Sequence, residues 1–202
     1  MTIHVPKLLR ETVIGKNDYG KSLIERTYRD QQTGKERQYG VFDWRGGIVR
    51  PSMVLPITTD GKVIAIRQFR EGAGKIVLEL PGGNPEASQT PEDVARAELL
   101  QETGYEANEI IDLSPSRPIF VEPASFTVAF HPFLATGCRK VANQTLDENE
   151  DIEVCVIDFG EWIEACREGE ADCMEGMAIT FLALPIILAR ATAVMTHMLL
   201  SK

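Results

Sequence analysis

The chain has few cysteines, no apolar run long enough to span a membrane, and few basic residues. This composition argues against disulfide scaffolds, membrane proteins and nucleic-acid-binding proteins. Only four of its 202 residues are cysteine, with no Cys-x-x-Cys pair and no histidine at a zinc-ligand spacing. Disulfide scaffolds are usually shorter and richer in cysteine, so we expect free thiols and a cytoplasmic location. The longest uncharged run, 176–189, has 14 residues and contains Pro185. A membrane span needs about 20 apolar residues, so no membrane partner is expected.

Basic residues are also scarce, at 21 Lys and Arg against 30 Asp and Glu, which gives a net charge of −9. Proteins that follow a nucleic-acid backbone need clustered Lys and Arg, so a nucleic-acid partner is not expected. An acidic chain is better suited to gathering divalent cations. Hydrophobic residues at 44% and charged residues at 25% are ordinary for a folded chain, which excludes disordered and fibrous classes.

Runs of β-forming residues between turn signals predict a sheet. Strands are expected at 23–29, 37–44, 52–57, 62–69, 76–80, 127–134 and 152–157. The Gly46-Gly47 pair predicts a boundary between a small β-rich segment, 1–46, and a larger domain, 47–202. Strands on both sides of a central helix, with further helices at the end, indicate a mixed α/β domain.

Helix signals are clearest at Thr90, a good N-cap that is followed by Pro91 and by Asp93 as a capping-box partner. Gly104 can take the left-handed conformation that ends this helix. A short helix is expected at 160–167. A longer apolar helical region is expected at 177–200, with an interruption near Pro185.

Two carboxylates on the central helix, Glu98 and Glu102, stand four residues apart and therefore project from one face. Side by side they repel each other, whereas a divalent cation between them would be attracted to both. Mg²⁺ favours one or two carboxylates together with substrate phosphates. The other interpretation is a solvated acidic face, and spacing alone leaves both open.

The stretch 78–105, LELPGGNPEASQTPEDVARAELLQETGY, resembles the Nudix box, G-x5-E-x7-R-E-U-x-E-E-x-G-U, where U is a bulky apolar residue. Alignment on Gly83 places five further residues in register, namely Glu98, Leu99, Glu102, Gly104 and Tyr105. Three positions depart from the pattern: Gln89 replaces the first Glu, Ala97 the Arg, and Gln101 the first Glu of the pair. The family's Arg orients the metal-binding carboxylates, and Glu86 lies three residues from the place of the missing Glu.

Three more segments are similar to ADP-ribose and nucleoside-diphosphate-sugar pyrophosphatases, and with them the resemblance covers roughly residues 44–188. They are Gln68-Phe69-Arg70, the strand end Glu79-Leu80-Pro81-Gly82-Gly83, and the acidic loop 147–154. Their order along the chain, around a helix with paired carboxylates, is what makes the resemblance specific.

The resemblance implies a role for each candidate residue. Metal ligands would be the Glu98 and Glu102 carboxylates, the carbonyl of Gly82, and Glu150. The general base would be Glu148, with Glu150 as the alternative. Substrate contacts would come from Arg70 to a phosphate and from Tyr28 and Trp44 near the base. For Arg70 a surface ion pair is the alternative.

The implied fold is the Nudix α/β/α sandwich, a mixed sheet between helices, preceded by the small β-rich segment. The implied activity is Mg²⁺- or Mn²⁺-dependent hydrolysis of a nucleoside diphosphate linked to another moiety, with ADP-ribose first and nucleotide sugars second. In the resembled subfamily the N-terminal segment exchanges across a two-fold axis, so a homodimer is expected. The alternative function is a catalytically silent nucleotide-binding sensor or partner module.

Overall fold

The computed structural model describes residues 4–44, 46, 50–86, 88–171 and 173–200. The chain forms two compact units, one from residues 1–50 and 120–130 and the other from 51–119 and 131–202. The predicted segment 1–46 falls within the first unit, to which the structure adds 120–130. Gly47, at the predicted boundary, lies outside the described residues.

The first unit contains a three-stranded antiparallel sheet in the order β1 (Lys7–Lys16), β2 (Lys21–Arg29) and β3 (Glu36–Trp44). The predicted hairpin is confirmed, and in its turn the Asp30 carboxylate accepts hydrogen bonds from the Gln32 and Thr33 N–H groups. Strand β1 was not predicted. Its apolar residues come in adjacent pairs instead of alternating, and all ten of its residues are exposed.

The remaining strands are β4 (Ser52–Thr58), β5 (Lys62–Arg70), β6 (Lys75–Glu79), β7 (Gly82–Gly83), β8 (Tyr105–Glu106), β9 (Glu109–Asp112), β10 (Ile119–Phe120), β11 (Ala129–Lys140) and β12 (Ile152–Asp158). The second unit is built on a mixed sheet whose central order is β11-β4-β5-β12, with β11 parallel to β4 and the other two pairings antiparallel. The short strands β6 and β7 pair with β5 and β4, and β8 and β9 pair with β11.

Helix α1 (Pro91–Thr103) forms where the capping signals place it. Thr90 and Asp93 form the reciprocal capping box, and Gly104 ends the helix at φ 75°. Its buried residues pack on one face of the sheet, in a core of Val54, Ile64, Ala95, Leu99, Phe133, Ala135 and Cys138. The predicted limits of this helix are confirmed because both ends are set by local chemistry.

Two helices follow the sheet, α2 (Phe159–Glu168) and α3 (Met174–Leu200). The fully buried Trp162 joins them by donating its Nε1–H to Thr180 Oγ1 at 2.8 Å. The predicted interruption near Pro185 is wrong, because α3 continues through this residue. Proline has no N–H to donate to the carbonyl one turn earlier in the helix. Because Pro185 is exposed, water can hydrate that carbonyl instead.

Helix α3 is also more apolar than the uncharged run 176–189 suggested. Over Met174–Ala193 its mean hydropathy is 1.7, and 22% of that window is buried. By length and composition alone this segment could cross a membrane, but core helices of soluble proteins meet the same two criteria.

The Thr90 cap gives a direct test of what starts α1. Replacing Thr90 with Ala removes the acceptor for the Asp93 N–H, so we expect a loss of about 1 kcal/mol in the free energy of unfolding. Thr90→Ser keeps the oxygen and should retain most of that stability. Urea unfolding of both variants measures the difference, and equal losses would show that the cap oxygen is unimportant.

Candidate active site

A Pro-Gly-Gly corner follows β6 and lies against β4. Pro81 O accepts a hydrogen bond from the Val54 N–H at 3.0 Å, and Gly82 and Gly83 pair with Met53 and Ser52. A Cβ on Gly82 would lie 2.5 Å from the carbonyl oxygen of Ser52, and one on Gly83 would overlap the Glu98 carboxylate. Only glycine therefore lets this corner approach both the strand and α1 so closely.

Both predicted carboxylates of α1 face this corner. Glu102 Oε2 accepts a hydrogen bond from the Gly82 N–H at 2.8 Å, and the Glu98 carboxylate occupies the space beside Gly83. Glu102 is only 3% exposed. The structure thus brings Glu98, Glu102 and Gly82 together, which an exposed, solvated acidic face would not require.

Burial and neighbouring negative charge make both carboxyls hard to ionise. Burial raises the pKa of Glu102 to about 8, opposed by the Gly82 N–H and assisted by the charges of Glu98 and Glu150. Burial also raises the pKa of Glu98 to about 7, with Glu150, Asp147 and Glu86 contributing. Without a cation, both carboxyls therefore keep their protons to a higher pH than a free glutamate does, and a bound cation would favour their ionised form.

The acidic loop before β12 reaches this site because Gln144 anchors it. The Gln144 Nε2–H₂ group donates to the carbonyl oxygens of Glu102 at 2.7 Å and of Ile152 at 3.0 Å. Within the loop, Glu150 Oε2 accepts from the Asp147 N–H at 3.0 Å. Sequence reasoning missed Gln144, since a lone glutamine between two strands belongs to no recognisable motif.

Glu148 differs from Glu150 in its surroundings. It is exposed on the turn of the loop, and no hydrogen bond or ion pair holds its side chain among the described residues. Glu150 is half-buried, and its charge raises the pKa of both Glu98 and Glu102. The structure therefore places Glu150 in the field of the paired carboxylates and leaves Glu148 exposed.

Gln89, which departs from the box pattern, stabilises the loop before α1 through a hydrogen bond. Its Oε1 accepts a hydrogen bond from the Glu86 N–H at 2.7 Å. The charge of Glu86 is close enough to raise the pKa of Glu98. The loop thus still supplies a carboxylate to the surroundings of Glu98, three residues earlier than the pattern expects.

Arg70 is found in the ion pair that was its alternative interpretation. Its Nε and Nη2 lie 2.7 and 2.6 Å from Glu79 Oε1, which also accepts from Gln68 Nε2 at 2.6 Å. Burial raises the pKa of Glu79 even though Arg70 and Gln68 oppose that shift. The Arg70 side chain stays 45% exposed, so part of its guanidinium still faces solvent.

The oxygen atoms at the corner fit a hard divalent cation with open coordination positions. Within residues 4–44, 46, 50–86, 88–171 and 173–200, no three His, Cys, Asp or Glu side chains are grouped closely enough to hold a metal by themselves. Mg²⁺ commonly takes only one or two carboxylates and completes its shell with water and substrate phosphate. Two facing carboxylates with raised pKa values are such a partial set.

The aromatic candidates Tyr28 and Trp44 belong to the first unit, where the structure separates them. Trp44 pairs with Lys21 and Tyr28 with Arg37, so the two lie seven residues apart along β2. At about 3.4 Å per residue this is roughly 24 Å, too far for both to contact one base within one chain. Tyr28 packs edge-on against Tyr39, and the Lys21 ammonium lies 5.8 Å from the Trp44 ring centroid.

A groove of about 490 Å³ also lies in the first unit, beside Trp44. Phe42 and Phe126 stack there with ring centroids 5.4 Å apart, and Lys16 and Lys21 contribute to its wall. Sequence reasoning missed Phe126, because 84 positions separate it from Phe42 in the chain. Aromatic rings beside lysines suit a planar, negatively charged ligand.

Comparison with known proteins gives one consistent result. Residues 49–172 match the NUDIX domain model. The chain is 27% identical to an ADP-ribose pyrophosphatase of Bacillus subtilis, over 88% of this chain and 95% of that protein. It is 30% identical to a GDP-mannose pyrophosphatase of Escherichia coli, over 81% and 86%. The crystal structure of an ADP compounds hydrolase superposes with a TM-score of 0.80 at 17% identity, covering 94% and 98%, and confirms the predicted fold.

The raised pKa values predict how stability depends on pH without metal. Between about pH 4.5 and pH 8 the folded protein holds protons on Glu98 and Glu102 that the unfolded chain releases. Stability should therefore fall as pH rises through this window, when urea unfolding is followed in the presence of a chelator. Glu102→Gln should flatten the decline, and Glu106→Gln, at an exposed carboxylate, should not. A decline of unchanged slope in Glu102→Gln would contradict the assignment.

Proposed function

This chain belongs to the NUDIX family as a pyrophosphohydrolase, and from that premise we propose a metal-dependent hydrolase of nucleoside diphosphates linked to a second moiety. ADP-ribose is the first substrate proposed, giving AMP and ribose 5-phosphate. The named activity of the Bacillus subtilis relative supports this choice. Nucleotide sugars are the second, supported by the Escherichia coli GDP-mannose pyrophosphatase.

One observation carries the proposal: two inward-facing carboxylates, the half-buried Glu98 and the buried Glu102, are held against a glycine corner. In its ionised form such a pair lowers the stability of the fold, because burial and mutual repulsion both oppose its ionisation. A cation bound at the corner offsets that cost. Nudix hydrolases generally use divalent metal ions, and we propose Mg²⁺ or Mn²⁺ here.

The cation would be held by Glu98, Glu102 and the carbonyl of Gly82, with Glu150 beside them, and would neutralise charge on the phosphate oxygens. Glu148 is proposed as general base, because it is exposed and unrestrained in a loop that Gln144 ties to the end of α1. It would accept a proton from the attacking water as the new bond to phosphorus forms and the bridging P–O bond breaks.

Arg70 is proposed to bind a substrate phosphate while it remains paired with Glu79. A guanidinium carries five N–H donors, and only Nε and Nη2 are turned towards the Glu79 carboxylate. The pair would therefore orient the arginine without using all of its donors. Contacts of Tyr28 and Trp44 with the base remain predictions, and their separation along β2 allows a base to contact one of them in each chain.

We further propose that the active form is a cytoplasmic homodimer. Every residue of β1 is exposed, including Leu8, Leu9, Val13 and Ile14. An edge strand with apolar side chains and unpaired backbone groups is a surface that another chain can cover. A second copy of this chain is the proposed cover.

The test of the proposed function is a substrate screen with Mg²⁺ and with Mn²⁺. ADP-ribose, nucleotide sugars, dinucleoside polyphosphates and nucleoside triphosphates are incubated with the protein, and the products are separated by chromatography. Release of AMP from ADP-ribose, abolished by Glu98→Gln with Glu102→Gln, is the expected result. Tight nucleotide binding without hydrolysis of any compound would instead favour a silent sensor module.

The acidic loop predicts two different kinetic effects. Glu148→Gln should lower kcat by about 10² to 10⁴, the usual contribution of a general base, without changing the metal concentration that gives half-maximal rate. Glu150→Gln should raise that metal concentration, because it removes a charge near Glu98 and Glu102. Metal titrations of the rate distinguish the two. The assignment is reversed if the effects are exchanged between the variants.

The dimer is tested by sedimentation of the full chain. We expect a mass of two copies, and a shift towards a monomer when Leu8→Asp and Val13→Asp place charges on the exposed apolar side chains of β1. Thr12→Asp, in the same strand, is the matched control that adds charge without removing an apolar side chain. A monomeric wild type, or a dimer that survives both charges, would exclude β1 as the interface.

A further inference from the structure

A buried serine lies next to the paired carboxylates with no partner for its hydroxyl. Ser52, the first residue of β4, is 0% exposed, and its Oγ makes no hydrogen bond within the part of the chain that the structure describes. A buried hydroxyl left unpaired costs about 1–3 kcal/mol, so such groups are uncommon in folded proteins. The position of this one calls for a functional explanation.

The strand register shows which way this side chain points. Ser52 pairs directly with Gly83 across the antiparallel ladder of β4 and β7. Directly opposed residues project from the same face of a sheet, with Cβ positions about 4.5–5.5 Å apart. On that face the space beside Gly83 is filled by the Glu98 carboxylate. The Ser52 hydroxyl therefore shares its side of the sheet with that carboxylate.

Val54, two residues after Ser52 on β4, supports this direction of the Ser52 side chain. Val54 projects from the same face and packs in the core with Leu99 of α1, the neighbour of Glu98 in sequence. The face of β4 that bears Ser52 is thus the face that α1 covers. Gly82 projects to the opposite face, towards Met53.

The chain also lacks the group that orients the carboxylates in the box pattern it resembles. Ala97 stands at the position of the arginine, so no cationic side chain is available there. A neutral hydroxyl can replace part of that function in a buried site. It donates one hydrogen bond to a carboxylate and leaves the carboxylate's negative charge available to a cation.

We propose that Ser52 is a positioning residue: when the divalent cation binds, the Ser52 Oγ–H would donate to the Glu98 carboxylate and fix the orientation in which Glu98 holds the ion. This inference rests on the proposed metal-dependent function. It assigns to β4 a role that the box motif, which lies wholly in the corner, loop and helix, does not contain.

The test measures Mn²⁺ binding to the full chain by electron paramagnetic resonance of the free ion, without substrate. Ser52→Ala should weaken Mn²⁺ affinity about 10-fold or more, the usual effect of losing a hydrogen bond to a metal ligand. Ser52→Thr keeps the hydroxyl and should retain the affinity. Ala97→Arg added to Ser52→Ala should restore part of the affinity, because the arginine then supplies an orienting group in place of the hydroxyl.

A matched control comes from Thr27 in the first unit, which is also buried with an unpartnered hydroxyl. Thr27→Val should leave Mn²⁺ affinity unchanged. The melting temperature of metal-free Ser52→Ala should equal or exceed that of the wild type, since no hydrogen bond is lost. A lower metal-free melting temperature would assign the hydroxyl to the fold and overturn the proposal.

Glu98→Gln separates failure of this inference from failure of the proposed function. If Glu98→Gln weakens Mn²⁺ binding and Ser52→Ala does not, the metal site stands and the role of Ser52 is overturned. If Glu98→Gln leaves Mn²⁺ affinity unchanged, Glu98 is not a ligand and both proposals are overturned.

Discussion

The second unit depends on how closely a two-residue strand can approach a helix. Gly82 and Gly83 lie between β4 and α1, where any larger residue would collide with the Ser52 carbonyl or with the Glu98 carboxylate. The absence of two side chains lets the Gly82 N–H reach Glu102 and brings Glu98 against the corner. Loop, helix and strand can meet at one point because the backbone there carries no Cβ.

That close approach has an electrostatic consequence. The charges of the two loops add to the effect of burial in raising the pKa of Glu98, and the charges of Glu98 and Glu150 do the same for Glu102. Arg70 does not relieve this repulsion, because it is paired with Glu79. Two carboxyls whose ionisation is opposed in this way are stabilised in their charged form by a bound cation.

The departures from the box pattern acquire physical meaning in this setting. Gln89 holds the loop through the Glu86 backbone instead of supplying a charge. Gln101 is exposed, and its carbonyl oxygen accepts a hydrogen bond from the Thr145 N–H, which ties the acidic loop to α1. The NUDIX match and the two pyrophosphatase relatives place the chain in a family of pyrophosphohydrolases. Ala97 stands at the position of the pattern's arginine, and the Ser52 hydroxyl, buried without a partner, is the neutral group proposed to take over part of that role.

The sequence by itself determined the elements whose ends are set by local chemistry. The helix between Thr90 and Gly104, the hairpin around Gly34 and the spacing of Glu98 and Glu102 all follow from neighbouring residues. Only the tertiary structure decided the rest. It placed Ser52 opposite Gly83, engaged Arg70 with Glu79, separated Tyr28 from Trp44, and carried α3 through Pro185. Those outcomes depend on strand register, burial and exposure, which arise from residues far apart in the chain and leave no local pattern to detect.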